Sequence, residues 1–103
     1  MRVILNKADE GGGVSVSEVW SRLNELMGER DYKKLYDPLE GRLWVTVSSE
    51  EGVTDLFFKD IDNGVFVYVT WKYDSKEEKT YRECESWEEL EYFVSWAIKY
   101  LEN

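Results

Sequence analysis

The stretch from Gly64 to Tyr73, Gly-Val-Phe-Val-Tyr-Val-Thr-Trp-Lys-Tyr, constrains the fold of this chain more than any other. β-Branched and aromatic residues fill it almost throughout, and it is too short and too branched to prefer a helix. Strand alternation sends Val65, Val67, Val69, Trp71 and Tyr73 one way, and Phe66, Tyr68, Thr70 and Lys72 the other. The first set is apolar enough to be a core face on which helices pack. The second set is aromatic but ends wet, as on a face only partly covered. Asn63-Gly64 just ahead of it predicts a tight hairpin with Gly64 at positive φ.

Other strands are predicted around this one. Arg42 to Ser48 alternates Leu43, Val45 and Val47 against Trp44 and Thr46, and Val53 to Asp60 follows the Ser49–Gly52 turn. Lys79 to Glu85 is charged enough to be a guarded sheet edge, and Arg2 to Leu5 is a short apolar run suited to another edge. Asn6 to Gly13 reads as a connector. Its three glycines lack the Gly-Lys-Ser/Thr and Gly-x-Gly-x-x-Gly patterns of phosphate cradles.

Two helices complete the pattern. Ser15 to Met27 begins with a Ser15/Glu18 capping box, and Val16, Val19, Trp20, Leu23, Leu26 and Met27 form an apolar stripe ended by Gly28. The charged segment Glu29 to Leu35 extends it by a helical turn or two, until Asp37-Pro38 breaks the run. Ser86 to Leu101 is the clearest helix, capped by Ser86/Glu89, with a core stripe of Trp87, Leu90, Val94, Ala97, Ile98 and Leu101. The chain is therefore expected to be one α+β domain over residues 1–103. Its four- to five-stranded, mostly antiparallel meander sheet carries two main helices on one face, in the order β-α-β-β-β-β-α.

Composition narrows the function. At 103 residues with five Trp, seven Tyr and four Phe, the chain has what a folded domain needs. There is no histidine and only one cysteine, Cys84, which removes intrachain disulfides, cysteine metal sites and every nucleophile paired with His. Gln is absent while Glu and Lys abound, the pattern of a heat-adapted source. A formal charge of −9 repels phosphate backbones and anionic membranes and favours basic protein surfaces. No run is long enough to span a membrane, and the apolar start is too short for a signal peptide, so a cytoplasmic protein is expected.

Candidate sites follow from what the core pattern leaves over. At 100° per residue, Tyr92 and Trp96 lie nearly opposite the core stripe of the last helix and Tyr100 lies on its flank. Stacked aromatic residues rimmed by Glu88, Glu89 and Glu91 suit a protein contact, with a second copy or with a basic partner. A further candidate is the second sheet face, where Trp44, Phe66 and Tyr68 with Lys72 resemble a stacking platform for single-stranded nucleic acid. Asp60-Ile61-Asp62-Asn63-Gly64 fails the calcium-loop register. Asp62 with Glu77-Glu78-Lys79 loosely matches metal-dependent nucleases, but on a uniformly polar stretch.

The leading expectation is a small acidic, non-enzymatic protein-binding module without cofactor or metal. In size, acidity and element order it is of a kind with inhibitor, immunity or antitoxin proteins or assembly subunits, though no motif stands behind that analogy. A small metal-dependent enzyme using carboxylates, or a sheet-face nucleic-acid binder, is the alternative.

Overall fold

The computed structural model describes residues 13–102. The expected strand Arg2–Leu5 and most of the glycine connector lie outside the described residues. Helices α1 (Val16–Ser21) and α2 (Leu23–Met27) come first. Strands β1 (Tyr32–Asp37), β2 (Arg42–Ser48), β3 (Val53–Ile61), β4 (Gly64–Tyr73) and β5 (Lys76–Cys84) follow, and helix α3 (Trp87–Lys99) closes the chain. The five strands form one antiparallel sheet in chain order, with the Gly64–Tyr73 strand fourth across it.

The inner face follows the alternation of β4. Val65, Val67, Val69 and Trp71 are buried, and Leu43, Val45, Val47, Leu56 and Phe58 join them from β2 and β3. Val16, Val19, Leu23, Leu26 and Met27 from α1 and α2 complete the same apolar cluster, as do Leu90, Phe93, Val94, Ala97 and Ile98 from α3. Burying so many branched side chains, at roughly 25 cal/mol per Å² of apolar surface, is the main force holding the layers together. Among the described residues no helix is long and apolar enough to cross a membrane.

Three expectations need correction. The first helix is not continuous: Arg22, at φ −110° and ψ 20°, separates α1 from α2. The apolar stripe still faces inward, except that Trp20 leaves the centre of the core to stack on Tyr36 with ring centroids 4.6 Å apart. Second, Glu29–Leu35 does not add helical turns, because Tyr32–Asp37 is a strand. Its Lys-Lys pair carries no helical stripe, whereas pairing with β2 satisfies its backbone and lays Tyr32 and Tyr36 against the core. Helix propensity is too weak to oppose that.

Third, the turns are exchanged. Ile61 pairs with Gly64, so the β3–β4 loop is Asp62-Asn63, and neither of these residues nor Gly64 has positive φ. Positive φ occurs instead at Asp74 (50°) and Ser75 (62°), the two residues between paired Tyr73 and Lys76. That is the primed turn that matches strand twist, built here from residues that resist it. Replacing Asp74-Ser75 by Asn-Gly should stabilise the protein by about 1 kcal/mol, raising Tm by about 4–8 °C. A thermal melt with an unchanged or lowered Tm would contradict this turn geometry.

Asp60, on β3, reaches back to receive the start of α1: its Oδ1 accepts the Val16 N–H at 2.8 Å. The Ser15 hydroxyl oxygen accepts the Glu18 N–H beside it. A long-range carboxylate thus supplements the local cap at the positive end of a short helix.

Candidate functional site

The outer face of α3 was the first place to expect a contact surface. Tyr92 is 75% exposed and stands clear of the ring contacts formed by its neighbours among the described residues. Trp96 (46% exposed) and Tyr100 (41%) do not stand out from the helix with it. Both lean over the inner sheet face onto Trp71, with centroid distances of 5.5 Å and 4.2 Å, and Phe93 stacks on Trp96 at 5.7 Å. The inner side of β5 carries only Lys76, Glu78, Thr80 and Arg82 ahead of Cys84. The sheet is therefore polar where α3 overhangs it, and the large rings of α3 cover Trp71. Tyr100 further donates its hydroxyl to Glu78 at 2.7 Å; that bond first, and the neighbouring Tyr73 hydroxyl second, push the phenol up to about 12.

The acidic rim divides in the same way. Glu88 and Glu91 are exposed. Glu89 is engaged at the helix entry, where its Oε1 accepts the Glu85 N–H at 3.0 Å and its Oε2 accepts Arg82 at 2.9 Å. The Ser86 hydroxyl oxygen accepts the Glu89 N–H to complete the cap. The Glu85 backbone bond first, and Arg82 second, hold the Glu89 carboxyl below the usual glutamate range.

A depressed carboxyl stabilises the fold fully above the unfolded pKa, about 4.3, and loses that stabilisation as pH falls through the lower folded value. Glu102, held down by Arg30, works in the same direction. Glu89→Gln should therefore cost up to about 1 kcal/mol at neutral pH, since the pair is partly exposed, and flatten the loss of stability on the acid side. Urea midpoints at pH 7, 5 and 3 would show this. An acid limb as steep as that of the parent would contradict it.

The second sheet face is the more extensive surface. Strand registers align Leu35, Trp44, Phe57, Tyr68 and Tyr81 in one row that crosses all five strands. Leu35 and Tyr81 are each 65% exposed and Trp44 is 36% exposed, while Phe57 and Tyr68 between them are half-buried. Trp44 and Phe57 touch at 5.3 Å, and Phe66 on the adjacent row contacts both Tyr68 and Tyr81. A shallow depression of about 410 Å³ lies on this row, lined by Trp44, Thr46, Asp55, Phe57, Tyr68 and Thr70. No described helix covers it, because α1, α2 and α3 send their buried residues to the opposite face.

The flanks of the row are charged in near balance. Lys33, Arg42, Lys59, Lys72 and Lys79 lie on this face by register, against Asp37, Asp55, Glu77 and Glu83. Arg42 pairs with Asp37 at 3.2 Å, Lys79 with Glu77 at 3.4 Å and Lys72 with Asp55 at 3.7 Å. The Arg42 guanidinium also lies 5.6 Å from the centre of the Trp44 ring. With five bases against four acids here, the net charge of −9 lies entirely on other surfaces.

Of the expected sheet-face residues, Trp44, Phe66, Tyr68 and Lys72 do share this face. Leu35, Phe57 and Tyr81 were missed as its members. Phe57 is signalled by its odd position in β3, on the same alternation as Val53 and Asp55. Leu35 is visible only once its segment is known to be a strand.

Asp62 and the Glu77-Glu78-Lys79 stretch are not brought together. Asp62 is in the β3–β4 turn, beside the Cys84 end of β5, whereas Glu77 pairs with Lys72 at the opposite end of the sheet. Among the described residues no group of three or more Asp, Glu or Cys side chains is placed to hold a metal ion. Cys84 is buried, and burial first, then the Glu89 charge, pushes its thiol up to about 11, so it stays protonated at neutral pH. Comparison with protein-family models, curated proteins and solved structures finds no match.

Proposed function

We propose that this chain is a non-enzymatic protein-binding module whose working surface is the open face of the sheet, rather than the outer face of α3. The observation that carries this reading is the Leu35–Trp44–Phe57–Tyr68–Tyr81 row, which crosses every strand with no described element over it. A sheet exposed on one side ordinarily alternates polar residues outward. Here that side carries large rings, and Trp and Tyr dominate protein-contact hot spots. On α3, by contrast, Trp96 and Tyr100 are engaged with Trp71, leaving Tyr92 as a single outward ring.

Bases interleaved with these rings favour a second reading, stacking of single-stranded nucleic acid. The chain's overall charge opposes it. Trp44→Lys and Tyr81→Lys test both readings. At about 2 µM, each should melt within a few degrees of the parent and lose binding of an apolar dye, because these positions contribute little to the fold's own core. A fall of more than about 10 °C in both would mean that the face is covered within the chain, and would overturn the docking reading. Saturable binding of an oligo-dT strand at low salt, lost in Trp44→Lys, would replace it with nucleic-acid binding.

A further inference from the structure

We infer that the partner of the open sheet face is a second copy of this chain, the two sheets packing face to face with the helices outermost. This rests on the reading of the face as a docking surface and adds the identity of its occupant. The distribution of charge carries the argument. The chain as a whole is at −9, yet five bases and four acids stand on this one face, three of each already paired with one another. A charge present only to keep molecules apart would be strongest on the most apolar surface, where association is most damaging.

Here the excess charge lies off that surface, at turns such as Glu50-Glu51 and around α3 at Glu85, Glu88 and Glu91. Such a pattern suits an assembly whose outside is acidic and whose inside is this face, since depletion of charge marks the centre of interfaces. A basic protein partner would be drawn to the acidic surfaces instead, and a strongly acidic partner would find few unpaired bases on the row.

Size agrees with a modest dimer. Five strands of six to ten residues, rising about 3.3 Å per residue and spaced about 4.8 Å apart, present roughly 600 Å² per copy, a little above the lower limit of about 1,000 Å² in total for specific contacts. Two-fold symmetry is the commonest closed arrangement for one surface meeting itself. It would bring the Trp44 and Tyr68 rings of the two copies together across roughly 10 Å, the ordinary distance between stacked sheets. Association at micromolar concentrations is expected from an interface of this size.

Sedimentation equilibrium of the full chain tests this. Between about 1 and 200 µM the mass should rise from 12.2 kDa toward twice that value. Raising salt from about 20 to 500 mM should strengthen association, because screening relieves repulsion between two molecules of like net charge. Trp44→Lys should weaken it at least tenfold. Tyr81→Lys, on the exposed edge strand, should do the same in a variant whose folding is not at risk.

A wild-type monomer at 200 µM would overturn the inference. So would a dimer indifferent to both variants, or one that loosens as salt is added. Failure of the docking reading is distinct from these outcomes, since it shows as variants that unfold at low concentration whatever the mass of the parent.

Discussion

Trp71→Ala is expected to lower stability by about 3–5 kcal/mol and Tm by 15 °C or more. Trp71 is only 3% exposed and occupies the inner face near the far end of β4. Its indole Nε1 donates to the Ala97 carbonyl at 2.8 Å, a buried bond linking the sheet to α3. Trp96 meets it edge-on, and Tyr100 lies over it at 4.2 Å. Truncation would therefore open a cavity, leave the buried Ala97 carbonyl with only the long 3.4 Å bond from the Tyr100 N–H, and deprive two half-exposed rings of their support. Trp71→Phe separates these effects. It keeps a ring in the site but loses the donor, and should cost roughly 1–3 kcal/mol. Chemical denaturation of both variants is the measurement. An alanine variant melting within two degrees of the parent would mean that Trp71 does not hold α3 on the sheet.

Gly64→Val is expected to cost about 3 kcal/mol or more. The reason is not the positive φ suggested by the Asn-Gly pair, since Gly64 lacks it. A Cβ at Gly64 would overlap the Cys84 carbonyl oxygen and lie 3.0 Å from its carbon and 3.1 Å from the Cα of Glu85. Those are backbone atoms and cannot swing aside. The end of β5 would have to move off β4 just where Val65 pairs with Cys84 and the chain turns into α3. The collision begins at Cβ, so Gly64→Ala should already show most of the loss, with valine adding less than alanine did. A large loss confined to valine would point to branching rather than close approach. Urea midpoints of the three proteins decide between these outcomes.

The strands most readable in the sequence were those with one apolar side. In β2 and β4, period-two alternation and burial coincide residue by residue, so Leu43, Val45 and Val47, and Val65 through Trp71, announced their facing. The helix α3 was equally legible, because Ser86 caps it and its buried residues recur at helical spacing. β1 was not. One side sets exposed Lys34 between half-buried Tyr32 and Tyr36, the other sets Leu35 between Lys33 and Asp37, so neither side is plainly apolar and only pairing with β2 makes Tyr32–Asp37 a strand. The break at Arg22 was hidden for a related reason: its apolar positions keep helical spacing across it.

The sequence by itself thus determined the layer plan: an antiparallel meander, one apolar face of the central strand, and helices to cover it. Periodicity is a local property, and burial selects for it at every position. Which exposed aromatic residues form a surface was decided only by tertiary structure. Helical angle sends Trp96 outward and Tyr100 to the flank, yet the polar inner side of β5 let α3 lean both onto Trp71. Leu35, Trp44, Phe57, Tyr68 and Tyr81 are spread over 47 positions and become neighbours only through four strand registers. Register depends on pairing between distant segments, and no local pattern in any one strand carries it.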